Sequence, residues 1–166
     1  MDNSTFTVFT YGTLMKGFEG YEKYLKNSTF LGCGAINGKM YHTNSGYPVV
    51  IKSSFPGENR VKGELFEVDK NTMIKLRNYE GIYSFFTYYT EEILPVTLED
   101  GSVKYARVFV AHPFAKPFIR LTSKKVKHGD WRSYISVPKI SIRRWVLTAL
   151  LILINCILLF EAIIHS

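Results

Sequence analysis

The sequence contains little cysteine, and the two cysteines present cannot form a structural disulfide. Cys33 lies in the N-terminal half, whereas Cys156 lies inside a long apolar run near the C-terminus. Neither belongs to a pair with the spacing of zinc ligands, and no histidine stands at a metal-like spacing from another ligand type. The sequence therefore predicts a reducing compartment and no metal site. The four histidines are His42, His112, His128 and His165.

The signatures of several common enzyme classes are also missing. No serine stands in a Gly-x-Ser-x-Gly motif, which argues against an α/β-hydrolase, and no glycine-rich phosphate loop occurs. The start, Met1–Thr5, is polar and has no basic stretch, so we expect no signal peptide. The length of 166 residues predicts one domain and a small additional segment.

The longest apolar run, Trp145–Ile164, differs from everything before it. As a helix it would span roughly the 30 Å hydrocarbon core of a bilayer. It is apolar on every face apart from Asn155 and Glu161, so it is not a surface helix. The run therefore predicts a transmembrane helix, in which Asn155 could hydrogen-bond to a second helix. A buried C-terminal helix of a soluble fold is the alternative.

Charges around this run predict its orientation. Lys139, Arg143 and Arg144 precede the run, and only His165 and Ser166 follow it. Because basic residues flanking a span stay on the cytosolic side, we expect a single-pass C-terminal membrane anchor with a cytosolic N-terminal domain. The predicted division is a domain at 1–136, a basic linker at 137–144 and a transmembrane helix at 145–164.

The net charge is +7, and the basic excess is concentrated before the apolar run. Between Lys116 and Arg144 the only acidic residue is Asp130. A basic segment beside a membrane favours anionic lipid head groups, by about 1 kcal/mol for each residue near the surface. Nucleic acid is the alternative partner, but few aromatic side chains are interleaved with the basic ones. We therefore expect lipid and no nucleic acid.

Hydrophobic patterning of the N-terminal domain predicts an α+β fold. Arg60–Val68 and Val103–Ala111 alternate apolar and polar residues, as strands with one wet face do. Phe18–Asn27 and Thr72–Tyr79 have helical spacing, and Asn71 is the expected cap of the second helix. Several strands with few short helices indicate a mixed or barrel-like sheet. Other predicted elements are strands at Thr5–Tyr11, Phe30–Ile36 and Phe85–Leu94, a turn and edge strand at Gly46–Ile51, and a hairpin turn at Glu99–Ser102.

A turn at Tyr11–Leu14 interrupts the first predicted strand. Gly12 ends a run of β-branched and aromatic residues in which Phe9 and Tyr11 share one face. A strand that opens at a glycine presents backbone N–H groups without a Cβ in front of them, and such a turn can bind a carboxylate. An inert strand-end turn is the other interpretation.

Glu80 is the acid with an unusual setting. It follows a predicted helix, between Tyr79 and Gly81, in a part of the chain rich in aromatic residues. A carboxylate packed among Tyr79, Tyr83, Phe85 and Phe86 would have a raised pKa through loss of solvation, as a general acid or base requires. A solvated helix-end glutamate is the alternative. Glu64 and Glu67 alternate with apolar residues, so we expect both on the surface.

Four short motifs occur in order along the domain: Phe9–Leu14, Gly46–Pro48, Val61–Val68 and Tyr79–Gly81. Together they resemble the γ-glutamylcyclotransferase superfamily, specifically its AIG2-like and γ-glutamylamine cyclotransferase branch, over about residues 6–134. This resemblance implies a compact mixed β-barrel with short flanking helices and a cavity. The C-terminal apolar run lies outside the family's pattern.

The resemblance also implies a site and a reaction. Glu80 corresponds to the family's essential glutamate, and the turn made of Tyr11, Gly12, Thr13 and Leu14 would bind the glutamyl part of a small γ-glutamyl substrate. The α-amine of that group would attack its own γ-carbonyl, giving 5-oxoproline and a free amine. No metal or organic cofactor would be needed.

Two positions depart from the family's pattern. Arg77 follows Leu76 where an aspartate is frequent, and Thr87, Tyr88 and Tyr89 occupy the area in which an arginine is common. These departures leave a second hypothesis open, in which a catalytically inactive, membrane-anchored module uses the same pocket to bind a ligand or a partner.

Overall fold

A computed structural model describes residues 4–54, 57, 59–84 and 87–136. The chain divides into two compact units, Met1–Tyr134 and Ile135–Ser166, and the fold below is that of the first. The predicted linker at 137–144 and the predicted span at 145–164 lie outside the described residues. Within the described ranges, no helix is both long enough and apolar enough to cross a membrane.

Five strands close into a barrel. β1 (Thr5–Thr10), β2 (Thr29–His42), β4 (Arg60–Asp69), β5 (Tyr89–Leu98) and β6 (Val103–Ala111) pair in the circular order β1-β4-β2-β5-β6. Every pair is antiparallel except β1 with β6, where Phe9 lies beside Val108 in a parallel register. The α+β, barrel-like sheet predicted from the patterning is confirmed.

The barrel's second strand is continuous. The sequence predicts a strand at Phe30–Ile36, with Gly38–Tyr41 either resuming it or beginning its partner. β2 runs without interruption from Thr29 to His42, so the first alternative is confirmed. Its first part pairs with β4, and residues 38–42 pair with β3 (Pro48–Lys52), which forms one end of the strand order. The edge position of Pro48 is therefore confirmed. A two-residue strand, β7 (Lys124–Lys125), pairs with the same end of β2.

Side-chain alternation along β1 separates two apolar clusters. Phe9 and Tyr11 point into the barrel interior, where they pack with Leu65 and Val108. Val8 points the other way and packs with Met73 of the helix that covers the sheet. The predicted pairing of Phe9 with Tyr11 on one face is confirmed, because a strand alternates its side chains with period two.

The helices are short and lie outside the barrel. They are α1 (Glu19–Tyr24), α2 (Lys70–Tyr79), α3 (Lys116–Thr122) and α4 (Trp131–Ser136), with 3-10 turns at Pro113–Ala115 and Lys127–Gly129.

α2 begins two residues earlier than the sequence suggests. Its cap is Asp69, whose carboxylate accepts a hydrogen bond of 2.6 Å from Thr72 N, so the expectation of Asn71 as cap is wrong. Asp69 also ends β4, and the strand therefore passes directly into the helix. The helix ends at Tyr79, Glu80 is its C-terminal cap, and Gly81 follows with a φ of +67°, the left-handed conformation typical after a helix.

The β5–β6 hairpin is confirmed at its turn. Leu98 N donates to Ser102 O across the predicted turn, and β6 has the predicted bounds. β5 begins at Tyr89 rather than at Phe85. Thr87 Oγ1 bonds to both the N and the O of Tyr89, and this local turn precedes the strand.

Candidate active site

A pocket of about 230 Å³ opens beside the end of β1. Its walls come from the turn after β1, the start of β3, the end of α2 and the strands β5 and β6. The lining residues are Phe9, Thr10, Tyr11, Gly12, Thr13, Leu14, Tyr47, Pro48, Tyr79, Glu80, Tyr89 and Phe109. The structure thus brings all five residues that the sequence singled out, Glu80 and the turn Tyr11–Leu14, to one pocket.

The turn Tyr11–Leu14 supplies backbone donors. Met15 N closes the turn on Gly12 O at 3.0 Å. The N–H groups of Gly12, Thr13 and Leu14 make no hydrogen bond to any residue that the structure describes. Leu14 is buried, and Gly12 and Thr13 are half-buried. Backbone donors withdrawn from water usually have a partner, so three of them at one pocket favour an anionic or carbonyl ligand.

Gly12 is required here by space rather than by its φ angle. A Cβ at this position would lie 2.5 Å from Pro48 Cγ, well inside van der Waals contact. The glycine therefore lets the turn approach the start of β3 closely. This contact joins two of the motifs noted in the sequence, because Pro48 belongs to the Gly46–Pro48 motif.

Glu80 lines the pocket without a charged partner. It follows α2 and makes no ion pair or side-chain hydrogen bond with any other residue in the described ranges. Loss of solvation raises the pKa of its carboxyl from 4.5 to about 7. A carboxyl with that pKa is part protonated and part ionised near neutral pH, as proton transfer in both directions requires.

The surroundings of Glu80 differ from those predicted. Tyr83 is 67% exposed, so it does not bury the carboxyl, and Phe85 and Phe86 lie outside the described residues. Tyr79 lines the pocket as predicted, and Tyr11 and Tyr89 join it from other parts of the chain. The predicted direction of the pKa shift is right, whereas the expected contribution of Tyr83 is wrong.

Two buried tyrosines join the pocket to the barrel. Tyr11 Oη donates to Phe109 O at 2.5 Å, and Tyr89 Oη donates to Pro48 O at 2.9 Å. Burial raises the pKa of both phenols, and the nearby Glu80 raises each further. Both phenols therefore stay neutral at physiological pH. Tyr89 and Phe109 have no local sequence signal, and reasoning from the sequence missed them as lining residues.

The pocket rim contains a link between two of the motifs. Thr13 Oγ1 lies 3.2 Å from Tyr79 Oη, and the Tyr79 ring packs 4.9 Å from the ring of Tyr24 on α1. Burial is the main cause that raises the pKa of the Tyr79 phenol. Tyr47, on the same rim, is 52% exposed. Both rim tyrosines belong to motifs that carried the family resemblance, although neither was named as a site residue.

The prediction that Glu64 lies on the surface is wrong. Glu64 is 8% exposed, because the loop after Leu14 and the helix α4 cover its strand. Its Oε2 accepts from Lys16 N at 2.7 Å, and its Oε1 accepts from Arg132 Nη2 at 3.0 Å. Arg132 Nη2 also donates to Lys16 O at 2.8 Å. Glu64 and Arg132 thus hold the loop that continues the Tyr11–Leu14 turn. Glu67 is exposed, as expected.

Arg77, the first departure from the family's pattern, has a structural role. Its Nε and Nη2 donate to the carboxylate of Glu91 on β5, at 2.6 and 3.0 Å. Arg107 on β6 binds the same carboxylate. The two arginines hold the pKa of the Glu91 carboxyl below its ordinary value despite partial burial. This bidentate bridge joins the last turn of α2, which precedes Glu80, to the strand that carries Tyr89.

No group of three His, Cys, Asp or Glu side chains that could hold a metal ion occurs within the described residues. Cys33 is a free, exposed thiol, and Cys156 lies outside the described residues.

Sequence comparison identifies the family. The sequence model described as "Gamma-glutamyl cyclotransferase, AIG2-like" matches residues 8–133. The chain belongs to this family. A Methanocaldococcus jannaschii protein, provisionally named a γ-glutamylcyclotransferase, is 34% identical over 127 residues, which are 76% of this chain and 96% of that protein. A similarly named protein from Pyrococcus horikoshii is 30% identical over 124 residues, 75% of this chain and 89% of that protein.

Solved structures share the fold. A mouse AIG2-like protein superposes with a TM-score of 0.61 at 22% identity, over 76% of this chain and 88% of that one. YkqA from Bacillus subtilis superposes with a TM-score of 0.63 at 21% identity, over 83% of this chain but 44% of its own. The superposed part of this chain therefore spans less than half of YkqA. At these identities the likeness shows the barrel fold alone.

Proposed function

We propose that this γ-glutamyl cyclotransferase family member cyclises the γ-glutamyl group of a small amide or peptide, giving 5-oxoproline and a free amine. The observation that carries the proposal is the juxtaposition, in one pocket, of an unpaired carboxyl of raised pKa and a turn with three free backbone donors. The family match supplies the class of reaction.

The reaction is intramolecular and balances without a co-reactant. The α-amine nitrogen forms a bond to the γ-carbonyl carbon, and the bond from that carbon to the leaving nitrogen breaks. One proton leaves the attacking amine and one proton is added to the leaving amine. Closure of a five-membered ring has a high effective molarity, so the pocket needs chiefly to fold the substrate and move the proton.

We assign the proton transfer to Glu80. Its ionised form takes the proton from the attacking amine, and its protonated form then gives the proton to the leaving amine. A pKa of about 7 allows both roles near neutrality. The absence of a cationic partner among the described residues supports this assignment, since an ion pair would hold the carboxylate ionised.

We assign to the turn the binding of the substrate's oxygen atoms. The N–H groups of Gly12, Thr13 and Leu14 lie at the pocket and have no partner in the described chain. We assign them to the carboxylate of the glutamyl group and to the oxyanion that develops on the γ-carbonyl during ring closure. Backbone donors hold no charge, and they need no reorganisation as negative charge develops.

A direct assay tests the proposal. Purified protein is incubated with a panel of γ-glutamyl amines, γ-glutamyl-ε-lysine and γ-glutamyl dipeptides, and release of 5-oxoproline is measured. We expect release from at least one member and a loss of 10² to 10⁴-fold in kcat for Glu80→Gln, the range typical of a general base. Glu67→Gln, at an exposed glutamate on β4, is the matched control and should retain full activity.

If wild type releases 5-oxoproline and Glu80→Gln releases it equally well, the proton-transfer role of Glu80 is rejected. If no panel member gives 5-oxoproline, the enzyme proposal fails and the inactive binding module becomes the better account. Calorimetric titration of the same panel then tests that second account, because a module of this kind should still bind a γ-glutamyl compound in the pocket.

We also propose that the apolar run at 145–164 anchors the protein in a membrane, with the domain on the cytosolic side. The support is its length and composition, and the basic linker at 137–144 would lie against anionic head groups. Removal of residues 145–166 should make the protein extractable from membranes by alkaline carbonate, whereas the full chain should resist extraction. Extraction of the full chain would reject the anchor.

A further inference from the structure

The helical segment Pro113–Thr122, formed by a 3-10 turn and α3, exposes large apolar side chains on one face. Phe114 is 90% exposed, Leu121 86% and Phe118 53%. Their spacing of four and then three residues places them on the same side of the helix. We call these three residues the apolar stripe. Three such side chains in ten residues form a patch of the kind that marks an interaction surface.

The apolar stripe is held in place by the opposite side of the same helix. Ile119 is fully buried, and it packs with Val49 of β3 and Ala111 of β6. Phe118 also contacts the ring of Tyr88, with centroids 6.4 Å apart. The helix is therefore anchored to the domain by its buried side, and the stripe is exposed in the folded state.

Unpaired basic side chains flank the stripe. Lys116 and Arg120 lie one turn apart on α3, and β7 adds Lys124 and Lys125. None of these four forms an ion pair with a residue in the described ranges. From His112 to Gly129 the sequence contains no acidic residue. The local charge is thus of one sign and is not neutralised by the neighbouring chain.

We propose that this surface docks the folded domain on a bilayer that contains anionic lipids, independently of the C-terminal anchor. Phe and Leu side chains of an interfacial helix enter the boundary between head groups and acyl chains, while Lys and Arg stay among the phosphates. An exposed apolar stripe and four basic residues on the same stretch of chain meet both of these requirements. The apolar run at 145–164 places a bilayer within reach of the same chain.

Docking through α3 also orients the pocket. Tyr89 packs in the same cluster as Ile119, and it lines the pocket as well. Ile119 of the proposed membrane-facing helix and Tyr89 of the pocket wall therefore belong to one packed cluster. A domain held by both α3 and the anchor would keep a fixed pocket orientation relative to the bilayer.

The test uses residues 1–136, from which the predicted anchor is absent. This portion contains the compact unit Met1–Tyr134, and the M. jannaschii relative is matched over 96% of its own length by the same domain, so a domain of this extent forms a whole protein there. Co-sedimentation is measured with vesicles of phosphatidylcholine alone and with vesicles that also contain 30% phosphatidylserine. We expect binding to the anionic vesicles and at least tenfold weaker binding to the neutral ones.

Two double variants separate the contributions. Phe114→Ser with Leu121→Ser should weaken binding to anionic vesicles at least tenfold, because both side chains are exposed and their loss leaves the core intact. Lys124→Glu with Lys125→Glu should weaken it at least 25-fold, since each basic residue near an anionic surface contributes about fivefold. Thermal denaturation of each variant checks that the fold is retained.

Matched controls keep the interpretation specific. Ile93→Thr with Tyr105→Thr removes two apolar side chains that are 60% and 70% exposed on the β5–β6 hairpin. Lys39→Glu with Lys75→Glu reverses two exposed charges on β2 and α2. The apolar control should bind anionic vesicles as wild type does. The loss of binding in the charge control should be less than a third of the loss in the Lys124 and Lys125 variant.

Three outcomes would overturn the proposal. The first is an absence of vesicle binding by residues 1–136. The second is unchanged binding of the Phe114 and Leu121 variant, which would mean that net charge alone attracts the domain. The third is a dimer in analytical ultracentrifugation that the same variant dissociates, which would make a second copy the occupant.

Discussion

Thr13 and Tyr79, 66 positions apart in the sequence, are hydrogen-bond partners at the pocket rim, with 3.2 Å between their side-chain oxygens. Thr13 belongs to the turn that offers backbone donors, and Tyr79 directly precedes Glu80. The bond thus joins the two parts of the pocket to which opposite roles are assigned. It sets their separation without contributing a group to the chemistry.

Breaking this bond should loosen substrate binding more than it slows the reaction. We expect Thr13→Val and Tyr79→Phe each to raise KM several-fold and to change kcat by less than threefold. The double variant should be little worse than either single one, with a coupling of about 1 kcal/mol, because both substitutions remove the same interaction. Strict additivity in steady-state kinetics would show that the two residues act separately.

The activity should depend on the ionisation of Glu80. Since the ionised carboxylate takes the first proton, kcat/KM should fall as pH decreases through about 7, the pKa of this group. The acid limb should disappear in Glu80→Gln, although its residual rate will be low. A pH profile of 5-oxoproline release from pH 5 to 9 measures this, and a flat profile across that range would contradict the assignment.

The same carboxyl should destabilise the fold at alkaline pH. Its pKa is 4.5 when solvated and about 7 in the folded protein, so folding favours the protonated form. Stability therefore falls as pH rises from about 4.5 to 7, by at most about 3 kcal/mol. Glu80→Gln mimics the neutral carboxyl. We expect the variant to have a higher Tm than wild type at pH 8 and the same Tm at pH 4.5, measured by thermal denaturation.

The close contact between Gly12 and Pro48 can be tested with a substitution at one residue and a compensating substitution at the other. Gly12→Ala places a methyl group against Pro48 Cγ, so we expect a loss of about 1–3 kcal/mol in stability and a raised KM. Pro48→Ala removes the opposing ring carbon. Combined with Gly12→Ala it should recover part of the lost substrate affinity, as measured by KM. If the double variant is no better than Gly12→Ala, the methyl group acts by another route, such as obstruction of the pocket itself.

The buried carboxylate of Glu64 should be important for both stability and binding. Glu64→Ala removes the acceptor of Lys16 N and one acceptor of Arg132, which keeps its bond to Lys16 O, so it should cost about 1–3 kcal/mol. Arg132→Ala leaves the buried Glu64 carboxylate without its cation and should cost about 3 kcal/mol. Urea denaturation gives both values, and KM should rise because the loop after Leu14 loses its support.

The exposed pair of Lys62 with Asp130 serves as control for Glu64. It lies at 3.3 Å, with the lysine side chain 67% exposed, and Lys62→Ala should change stability by less than about 1 kcal/mol. Equal effects of Glu64→Ala and Lys62→Ala would show that the Glu64 network is an ordinary surface contact.

Local patterns predicted the parts of the fold that local forces determine. Period-two alternation placed Phe9 and Val8 on opposite faces, and the turn residues placed the β5–β6 hairpin. The cap of α2 was misplaced because Asp69 and Asn71 are both good cap residues, and only the backbone geometry at the end of β4 distinguishes them.

Contacts that depend on closure of the barrel could not be predicted in this way. Glu64 alternates like a surface residue, but its burial comes from Lys16 and Arg132, which are 48 and 68 positions away. Tyr89 has no neighbouring signal that distinguishes it from Tyr88, and only its register on β5 brings it to the pocket. The role of Arg77 likewise depends on Glu91, which lies 14 positions away on β5.

The bond from Tyr11 to the carbonyl of Phe109 joins strands that are 98 positions apart, across the parallel β1–β6 pairing. Closure at such a separation carries a loop-entropy cost, so we expect this pairing to form late in folding. The pocket cannot exist before that step, because both strands supply its walls. A bound ligand should therefore protect the whole barrel against unfolding, and hydrogen exchange in β1 and β6 should slow together when the pocket is filled.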